Sequence, residues 1–272
     1  MQPSLIRLSG LSIYPVKSLG GIDLQRSELD SFGLHYDRRW MLVDQAGHFL
    51  SQRRLPRMTL IQPAIESDRL LLRADGQQPL SLPLHPQGDE WIEVQVWEDR
   101  CRGLVCGAEA DRWLSEFLEI PCRLVYMPDS TRRQVDPDYA LSSDHTAFSD
   151  GFPLLLISQA SLADLNRRLP VALPMRRFRP NLVVDGCTPY AEDRWRRIQI
   201  GGVVFRVVKP CSRCVITTID PQSAQRGEEP LKTLSGYRRQ GNKVLFGQNL
   251  LHNAEGELAL GLPVELLEVS GE

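Results

Sequence analysis

Two alternating runs of apolar and polar residues flank the dipeptide Gly201-Gly202, and they constrain the fold more than any other feature of the chain. The first run is Arg197-Ile198-Gln199-Ile200, and the second extends from Val203 to Lys209. Alternation at period two is the pattern of a half-buried strand, and a two-residue glycine turn is a preferred connection of a β-hairpin. We therefore expect a hairpin that delivers the chain to Pro210-Cys211-Ser212-Arg213-Cys214.

The first hundred residues also indicate short strands. Arg39 to Val43 and His48 to Ser51 flank the turn Asp44-Gln45-Ala46-Gly47, as the two arms of a hairpin would. Between Trp91 and Trp97, every second residue is aliphatic, which is typical of a strand with one buried face. The expected fold class is mainly β with some helices, that is, α+β.

Two helices interrupt these strands. The first is predicted from about Ala108 to Leu118, where large apolar residues sit four apart on one face. The second is signalled at Ser158 or Ser161 and ends before Pro170. Strand-like residues 123–126 and a long polar stretch, Met127 to Asp150, lie between them, and irregular chain of that length favours a functional loop.

Size and charge limit the function classes. A chain of 272 residues suits two closely packed units. The net charge of -2, from 32 basic and 34 acidic residues, gives no overall attraction to nucleic acid or to anionic membranes. The N-terminal residues 1–7 lack a signal-peptide pattern, and no segment approaches the roughly 20 apolar residues that span a bilayer. We expect a cytoplasmic protein with neither nucleic acid nor membrane as a partner.

Six cysteines are expected to be thiols or ligands, because the cytosol is reducing. Cys211 and Cys214 are three apart, so their side chains would point to opposite faces if an extended chain continued through both. Spacing alone leaves four interpretations open: a zinc site shared with Cys101 and Cys106, an iron-sulfur cluster, a thioredoxin-like dithiol, and two inert thiols. Lys17, beside Ser18, is a weak candidate for a Schiff-base lysine.

Several separated segments together resemble the MOSC family, in the branch that contains the mitochondrial amidoxime-reducing component and its bacterial relatives. The matching segments, in the expected order over nearly the whole chain, are Tyr14-Pro15-Val16-Lys17-Ser18, Asp37-Arg38-Arg39-Trp40, Ser161-Leu162-Ala163-Asp164-Leu165-Asn166, Phe178-Arg179-Pro180-Asn181, Tyr190-Ala191-Glu192-Asp193, Cys211-Ser212-Arg213-Cys214 and Phe246-Gly247-Gln248-Asn249.

The resemblance implies an N-terminal β-barrel-like MOSC domain, residues 1–122, packed on a C-terminal MOSC β-barrel domain, residues 123–272. It also implies a molybdenum cofactor (molybdopterin) between them. Cys214 is then the molybdenum ligand and the catalytic residue, which suits the affinity of that metal for soft sulfur donors. The residues that match cofactor-lining positions are Lys17, Ser18, Arg38, Asp150, Arg179, Ser212, Cys214 and Asn249. Asn249 stands where animal relatives carry a tyrosine.

The implied function is an oxidoreductase that reduces N-hydroxylated compounds, such as amidoximes and hydroxylamino bases. Longer bacterial relatives append a ferredoxin-like domain, whereas this sequence ends at Glu272, so we expect electrons from a separate flavin or iron-sulfur protein. Two alternatives remain: a cofactor-binding or carrier protein, and a sulfur-transfer protein that uses Cys214 or Cys211.

Overall fold

A computed structural model of the chain describes residues 5–271, so residues 1–4 of the N-terminal segment considered above and Glu272 lie outside the described residues. The fold is mainly β with some helix, which confirms the predicted α+β class. Within the described part, no helix is long and apolar enough to cross a bilayer. The cytoplasmic location stays a prediction.

The described chain contains nineteen strands, three α-helices and four short 3-10 helices. In chain order, the strands are β1 (Arg7–Ile13), β2 (Ile22–Asp23), β3 (Arg26–Asp30), β4 (Gly33–Leu34), β5 (Trp40–Val43), β6 (Gln62–Glu66), β7 (Arg69–Arg73), β8 (Leu80–Pro83), β9 (Trp91–Val96), β10 (Asp99–Val105), β11 (Arg123–Tyr126), β12 (Leu154–Ser158), β13 (Leu182–Asp185), β14 (Trp195–Ile200), β15 (Val203–Ser212), β16 (Arg239–Gln240), β17 (Lys243–His252), β18 (Gly256–Ala259) and β19 (Val264–Val269). The helices are α1 (Ala108–Leu118), α2 (Gln159–Arg168) and α3 (Leu231–Ser235), and the 3-10 helices are Pro56–Leu60, Met175–Phe178, Ala191–Arg194 and Val215–Thr218.

One sheet of nine strands carries most of the second half of the chain. Its order is β19-β14-β15-β17-β12-β13-β1-β2, and β16 pairs with β17 off this path. The predicted hairpin is confirmed as β14 and β15, and both turn residues, Gly201 and Gly202, have the positive φ that such a turn requires. β12 and β13 are parallel neighbours, and α2 lies between them in sequence.

Strand pairing connects the two ends of the chain. β1 pairs with β13, and β3 pairs with β18, so N-terminal strands complete sheets whose other members come from the second half. β11, which follows residue 122, pairs with β5 and β10 of the first half. No break in strand pairing marks the division after residue 122, and that boundary stays a prediction.

The predicted helices are present. α1 has the predicted bounds, and its apolar stripe (Trp113, Leu114, Phe117 and Leu118) is buried in a core that also contains Trp40 and Leu124.

α2 begins after Ser158, whose hydroxyl accepts a hydrogen bond from the backbone N–H of Ser161 at 3.0 Å. Of the two candidate caps, Ser158 is therefore the correct one.

Two sequence expectations about strands differ from the structure. Residues 48–51 do not form a strand, because His48 and Phe49 make only isolated bridges, although the turn at Asp44 to Gly47 is closed by a backbone hydrogen bond of 3.0 Å. Strand β15 also ends at Ser212, and a 3-10 helix begins at Val215, directly after Cys214, whose backbone is extended but lies outside the strand. Strand periodicity consequently does not govern the relation between Cys211 and Cys214.

The irregular stretch from Met127 to Asp150 is held by two buried arginines. Arg39 donates from Nε and Nη2 to the carbonyl of Met127, at 2.9 and 2.7 Å. Arg133 donates from Nη1 to the carbonyls of Ala147 and Ser149, at 2.8 and 2.7 Å. These bonds satisfy carbonyls that no strand pairs, and they fix the position of Asp150 at the end of the loop.

Candidate functional site

A cavity of about 410 Å³ lies where the N-terminal motifs, the long loop and the cysteine motif meet. All eight residues that the sequence predicted for the site line it: Lys17, Ser18, Arg38, Asp150, Arg179, Ser212, Cys214 and Asn249. The sequence reasoning did not single out Arg53, Phe152, Lys209, Arg213 and Lys243, which line the same cavity. The structure thus brings the predicted set together, while their roles stay proposals.

Backbone pairing joins the first two motifs. The amide of Arg38 donates to the carbonyl of Tyr14, and the amide of Lys17 donates to the carbonyl of Trp40, at 3.0 and 2.8 Å. These bonds set Lys17 and Ser18, which follow β1, beside Arg38, which precedes β5. The side chains that line one wall of the cavity are therefore fixed by main-chain contacts.

Lys17 is a buried cation that lines this wall of the cavity. Its Nζ donates to Asp150 Oδ1 at 2.5 Å and to the carbonyl of Phe148 at 2.8 Å. Burial lowers the pKa of Lys17 to about 8, although Asp150 opposes that shift. Burial acts to raise the pKa of Asp150, but Lys17 and Arg53 outweigh it and hold that pKa well below its usual range. Asp150 is therefore ionised at any physiological pH.

Arg38 and Arg179 both stack on Tyr14. Their guanidinium carbons lie 4.5 and 4.1 Å from the centre of the ring, which is the arrangement of a cation–π contact. Burial lowers the pKa of Arg179 to about 10 and raises that of Tyr14 to about 12. Arg38 Nη1 also donates to Asn181 Oδ1 at 3.0 Å. The segments Asp37-Arg38-Arg39-Trp40 and Phe178-Arg179-Pro180-Asn181 are thus held together.

The backbone is strained at three of the predicted residues. Ser18, Arg38 and Arg179 have φ of 68°, 51° and 56°, in the left-handed region that residues with a Cβ seldom occupy. Such a conformation costs about 1–3 kcal/mol per residue, and it concentrates at ligand sites. The fold therefore tolerates backbone strain at three residues that line the cavity.

The two cysteines of the segment Cys211-Ser212-Arg213-Cys214 line the same cavity but contact different groups. Cys211, near the end of β15, accepts from Arg213 Nη1 at 3.0 Å and packs against the core around Phe178 and Phe246. Cys214, which caps the 3-10 helix Val215–Thr218, accepts from Arg53 Nη2 at 3.3 Å. The prediction of opposite faces required a strand that continues through both cysteines, and that condition is not met, because β15 ends between them.

Charge in the cavity is strongly one-sided. Its lining residues include seven cationic side chains (Lys17, Arg38, Arg53, Arg179, Lys209, Arg213 and Lys243) and one carboxylate, Asp150. Among the described residues, Arg53 Nη1 and Arg213 Nε are also buried N–H groups without a hydrogen-bond acceptor. In a chain of net charge -2 this local excess fits an anionic ligand that offers many acceptor atoms. A pterin with a terminal phosphate and a metal-bound dithiolene meets that description.

Other interpretations of the cysteines and of Lys17 fit less well. Cys101 packs in the core around Met41 and Phe148, apart from the core that Cys211 contacts. Burial raises the pKa of Cys101 to about 11, and it raises that of Cys106 further. These two thiols are protonated, as core residues are, whereas zinc ligands are thiolates. Lys17 is bound in an ion pair with Asp150, which disfavours a nucleophilic amine.

Asn249 lies on β17, opposite Leu155 of β12 and Lys209 of β15. Its Nδ2 donates to the carbonyl of Lys209 at 3.2 Å, and the residue is half-buried. The side-chain oxygen remains as an acceptor toward the cavity that the residue lines.

Comparison with known proteins finds matches over most of the chain. Residues 5–121 match the MOSC N-terminal beta barrel domain, and residues 143–265 match the MOSC domain. Mitochondrial amidoxime-reducing component 1 of Mus musculus is 36% identical over 94% of this chain and 81% of that protein, and its Homo sapiens counterpart is 37% identical over 94% and 82%. The molybdenum cofactor sulfurase of Bos taurus is 32% identical over 91% of this chain, which corresponds to 30% of that protein.

Proposed function

Because the chain belongs to the MOSC family, we propose that it is a molybdenum-cofactor-dependent oxidoreductase that reduces N-hydroxylated compounds, such as amidoximes and hydroxylamino bases. The observation that carries this proposal is the cavity in which a cysteine thiol, Cys214, lies among seven cations. A soft sulfur ligand beside an anion-binding wall is the combination that a pterin-bound molybdenum requires. The likeness to the amidoxime-reducing components supports the choice of substrate class.

Each lining residue has a role in this proposal. Lys17, Arg38 and Arg179 bind the terminal phosphate of the cofactor through charge-assisted hydrogen bonds. Cys214 provides the metal ligand through its thiolate. Asp150 keeps Lys17 and Arg53 in place through contacts of 2.5 and 3.1 Å. Ser18, Ser212 and Asn249 supply further hydrogen-bonding groups along the walls.

When bound, the cofactor supplies two-electron chemistry that removes an oxygen atom from the substrate. The reaction balances as one N–O bond broken, two electrons and two protons consumed, and water released with the reduced nitrogen compound. The protein's part is to hold the nitrogen and oxygen of the substrate in the cavity beside Cys214 and to exclude competing ligands. Phe152 and Ile216, which line the cavity, provide apolar surface for the organic part of the substrate.

Turnover tests this function directly. Protein made in cells that synthesise the cofactor should contain molybdenum, and with an artificial low-potential reductant it should convert benzamidoxime to benzamidine. Metal-free protein and the Cys214→Ser variant are the controls, and both should be inactive. If fully loaded protein reduces no N-hydroxylated compound, the proposed reaction is wrong although the cofactor site stands.

We propose that the electrons come from a separate flavin or iron-sulfur protein. The same loaded preparation should be inactive with a nicotinamide alone and should become active when such a partner and its reductase are added. Activity with the nicotinamide alone would refute a separate donor.

A second candidate is a cofactor carrier or sulfur-transfer protein, which the likeness to the bovine molybdenum cofactor sulfurase favours. Arg213 beside Cys211 gives that thiol a cationic neighbour, as a sulfur-transfer cysteine would need. Sulfane sulfur bound to Cys211 or Cys214 in the purified protein would support this candidate. Turnover without any loss of cofactor to an acceptor protein would exclude the carrier.

A further inference from the structure

Arg53 joins the cysteine motif to the ion pair on the opposite wall of the cavity. Its Nη2 lies 3.3 Å from Cys214 Sγ and 3.1 Å from Asp150 Oδ2. A guanidinium Nη carries two hydrogens, so one nitrogen can donate to both acceptors at once. Because Asp150 is also bound by Lys17, a continuous chain of charge-assisted contacts runs from Lys17 to the sulfur.

The guanidinium of Arg53 is fixed on several sides. It lies over the ring of Trp97, with 4.6 Å between the guanidinium carbon and the ring centre. Trp97 Nε1 donates to Asp150 Oδ1 at 3.3 Å, so the ring that covers Arg53 is tied to the same carboxylate. The carbonyl of Arg53 accepts from Arg226 Nη2 at 2.5 Å. With its main chain and its side chain both held, Arg53 presents its N–H group to the sulfur in one orientation.

Trp97 does not line the cavity, yet its conformation supports the contact between its ring and Arg53. Its φ is 56°, a left-handed conformation that is uncommon for a bulky residue. The indole also contacts the edge of Phe49, at 4.9 Å between ring centres. The turn between β9 and β10 is therefore shaped to bring an aromatic face over Arg53.

A hydrogen bond to a ligating sulfur withdraws electron density from it. In metal–thiolate sites such bonds weaken sulfur donation and set the reduction potential of the metal. On the basis of the function proposed above, we infer that Arg53 is a positioning residue for Cys214, which orients the sulfur and, through its N–H···S bond, raises the potential at which the bound molybdenum is reduced. Lysine cannot replace it fully, because an ammonium has no planar group that stacks on the indole of Trp97 while its N–H groups reach the two acceptors.

The test replaces Arg53 by Met, which keeps the length of the side chain but removes every donor, and by Lys, which keeps the charge. Arg54→Met is the matched control, because Arg54 is the exposed neighbour in the same loop. Loaded protein is compared by redox titration of molybdenum and by the energy of the sulfur-to-molybdenum absorption band. We expect the potential of Arg53→Met to shift to more negative values and its band to move to longer wavelength, with a smaller change in Arg53→Lys and none in Arg54→Met.

Cofactor content is measured on the same samples, and a loss of about 10- to 100-fold in affinity is typical when a group that supports a metal ligand is removed. Identical potentials and spectra in wild type and Arg53→Met would overturn the inference. An empty site in both Arg53 variants would also overturn it, since Arg53 would then retain the cofactor rather than adjust the sulfur. Wild-type protein that binds no molybdenum would instead refute the proposed function itself, so the two failures are distinct.

Discussion

Cys211 and Cys214 share a cavity, but only Cys214 is assigned to the metal. We predict that Cys214→Ser abolishes molybdenum retention, because a hydroxyl is a poor replacement for a soft thiolate. Cys211→Ser should keep most of the metal, since Cys211 contacts Arg213 and an apolar core. Metal analysis after identical expression checks this, and equal loss in both variants contradicts the assignment.

Arg179 and Arg38 should both matter for the cofactor, but with different effects on stability. Each of the substitutions Arg179→Ala and Arg38→Ala removes charge-assisted contacts worth about 1.5–3 kcal/mol. Each should therefore weaken cofactor binding roughly ten- to a hundredfold. Arg38 is also the ion-pair partner of Asp37, whose side chain is 2% exposed. Arg38→Ala should therefore cost about 3–5 kcal/mol of unfolding free energy as well, because it leaves a buried carboxylate unpaired.

A double variant separates these two effects of Arg38. Asp37→Asn combined with Arg38→Ala removes the buried charge, while the new side-chain oxygen can still accept from the amide of Tyr14, as Asp37 does at 2.7 Å. Stability measured by urea denaturation should recover relative to Arg38→Ala, whereas cofactor content should stay low. Recovery of both quantities would mean that Arg38 acts only through folding.

Anion binding at this wall should depend on pH through Lys17. Burial lowers the pKa of Lys17 to about 8, so the cofactor-free protein loses this positive charge as the pH rises through that value. We expect the affinity for sulfate, which keeps its charge over this range, to be lower at pH 9.5 than at pH 7 in calorimetric titrations. Lys17→Arg, whose side chain stays charged, should remove most of that dependence. A pH-independent affinity in the wild type would show that Lys17 does not face the anion.

The same lowered pKa has a consequence for stability, and its sign is fixed. Between about pH 8 and the ordinary lysine value of 10.5, the unfolded chain binds a proton that the folded chain does not. The contribution of Lys17 to the free energy of unfolding therefore rises with pH in that window. It is lost again as the pH falls through about 8.

The eight residues that the family resemblance named all line the cavity, although their roles stay predictions, and sequence patterns missed Arg53 for a physical reason. The hydrogen-bond partners of the Arg53 side chain are 97 and 161 positions away in the chain, and no periodic pattern connects such distant residues. Arg53-Arg54, read alone, is indistinguishable from a solvated surface pair. Only the assembled cavity shows that the first arginine is half-buried and the second exposed.

At the level of elements, the close approach of β17 to β12 depends on Gly247. Its φ is 84°, and a Cβ there would lie 2.9 Å from the carbonyl oxygen of Leu156 and 2.7 Å from Ile157 Cγ1. Gly202 has the same φ, but a Cβ would meet nothing within 4 Å. Gly247 therefore combines a backbone constraint with a steric one, two residues before Asn249.

We predict that Gly202→Ala costs about 1–2 kcal/mol of unfolding free energy, from the left-handed backbone alone. Gly247→Ala should cost about 1–3 kcal/mol more, because overpacking is added to the same strain. Urea denaturation of the two variants measures the difference. Equal losses would show that β17 yields easily and that Gly247 does not set the spacing of the strands.

Local elements could be predicted from the sequence, whereas their arrangement could not. α1 and the hairpin of β14 and β15 follow from patterns within about fifteen residues, and both are where the patterns place them. The pairing of β1 with β13 depends on a partner more than 160 positions away. Alternation of apolar and polar residues can identify a strand, but it carries no information about which strand it joins or in which register.

At the scale of the whole molecule, the predicted division after residue 122 can be tested by cutting the chain there. A fragment of residues 123–272 lacks β1 and β3, which pair with β13 and β18, and it exposes the apolar surface that these strands cover. We predict that this fragment alone shows no cooperative thermal unfolding, and that mixing it with residues 1–122 restores a transition. A cooperative transition in the isolated fragment would instead establish an independent domain.

The pairing of β3 with β18 also affects the order in which parts of the chain can fold during protein synthesis. The ribosome releases Lys17 and Arg38 early, but the strand that joins β3 ends at Ala259, close to the end of the described chain. Asn249, which lines the cavity, also lies late in the chain, so until this part emerges the lining is incomplete and β3 lacks its partner β18. A nascent chain consequently has no complete cavity until β17 and β18 have emerged, so whatever ligand the cavity holds must be inserted after that stage of synthesis.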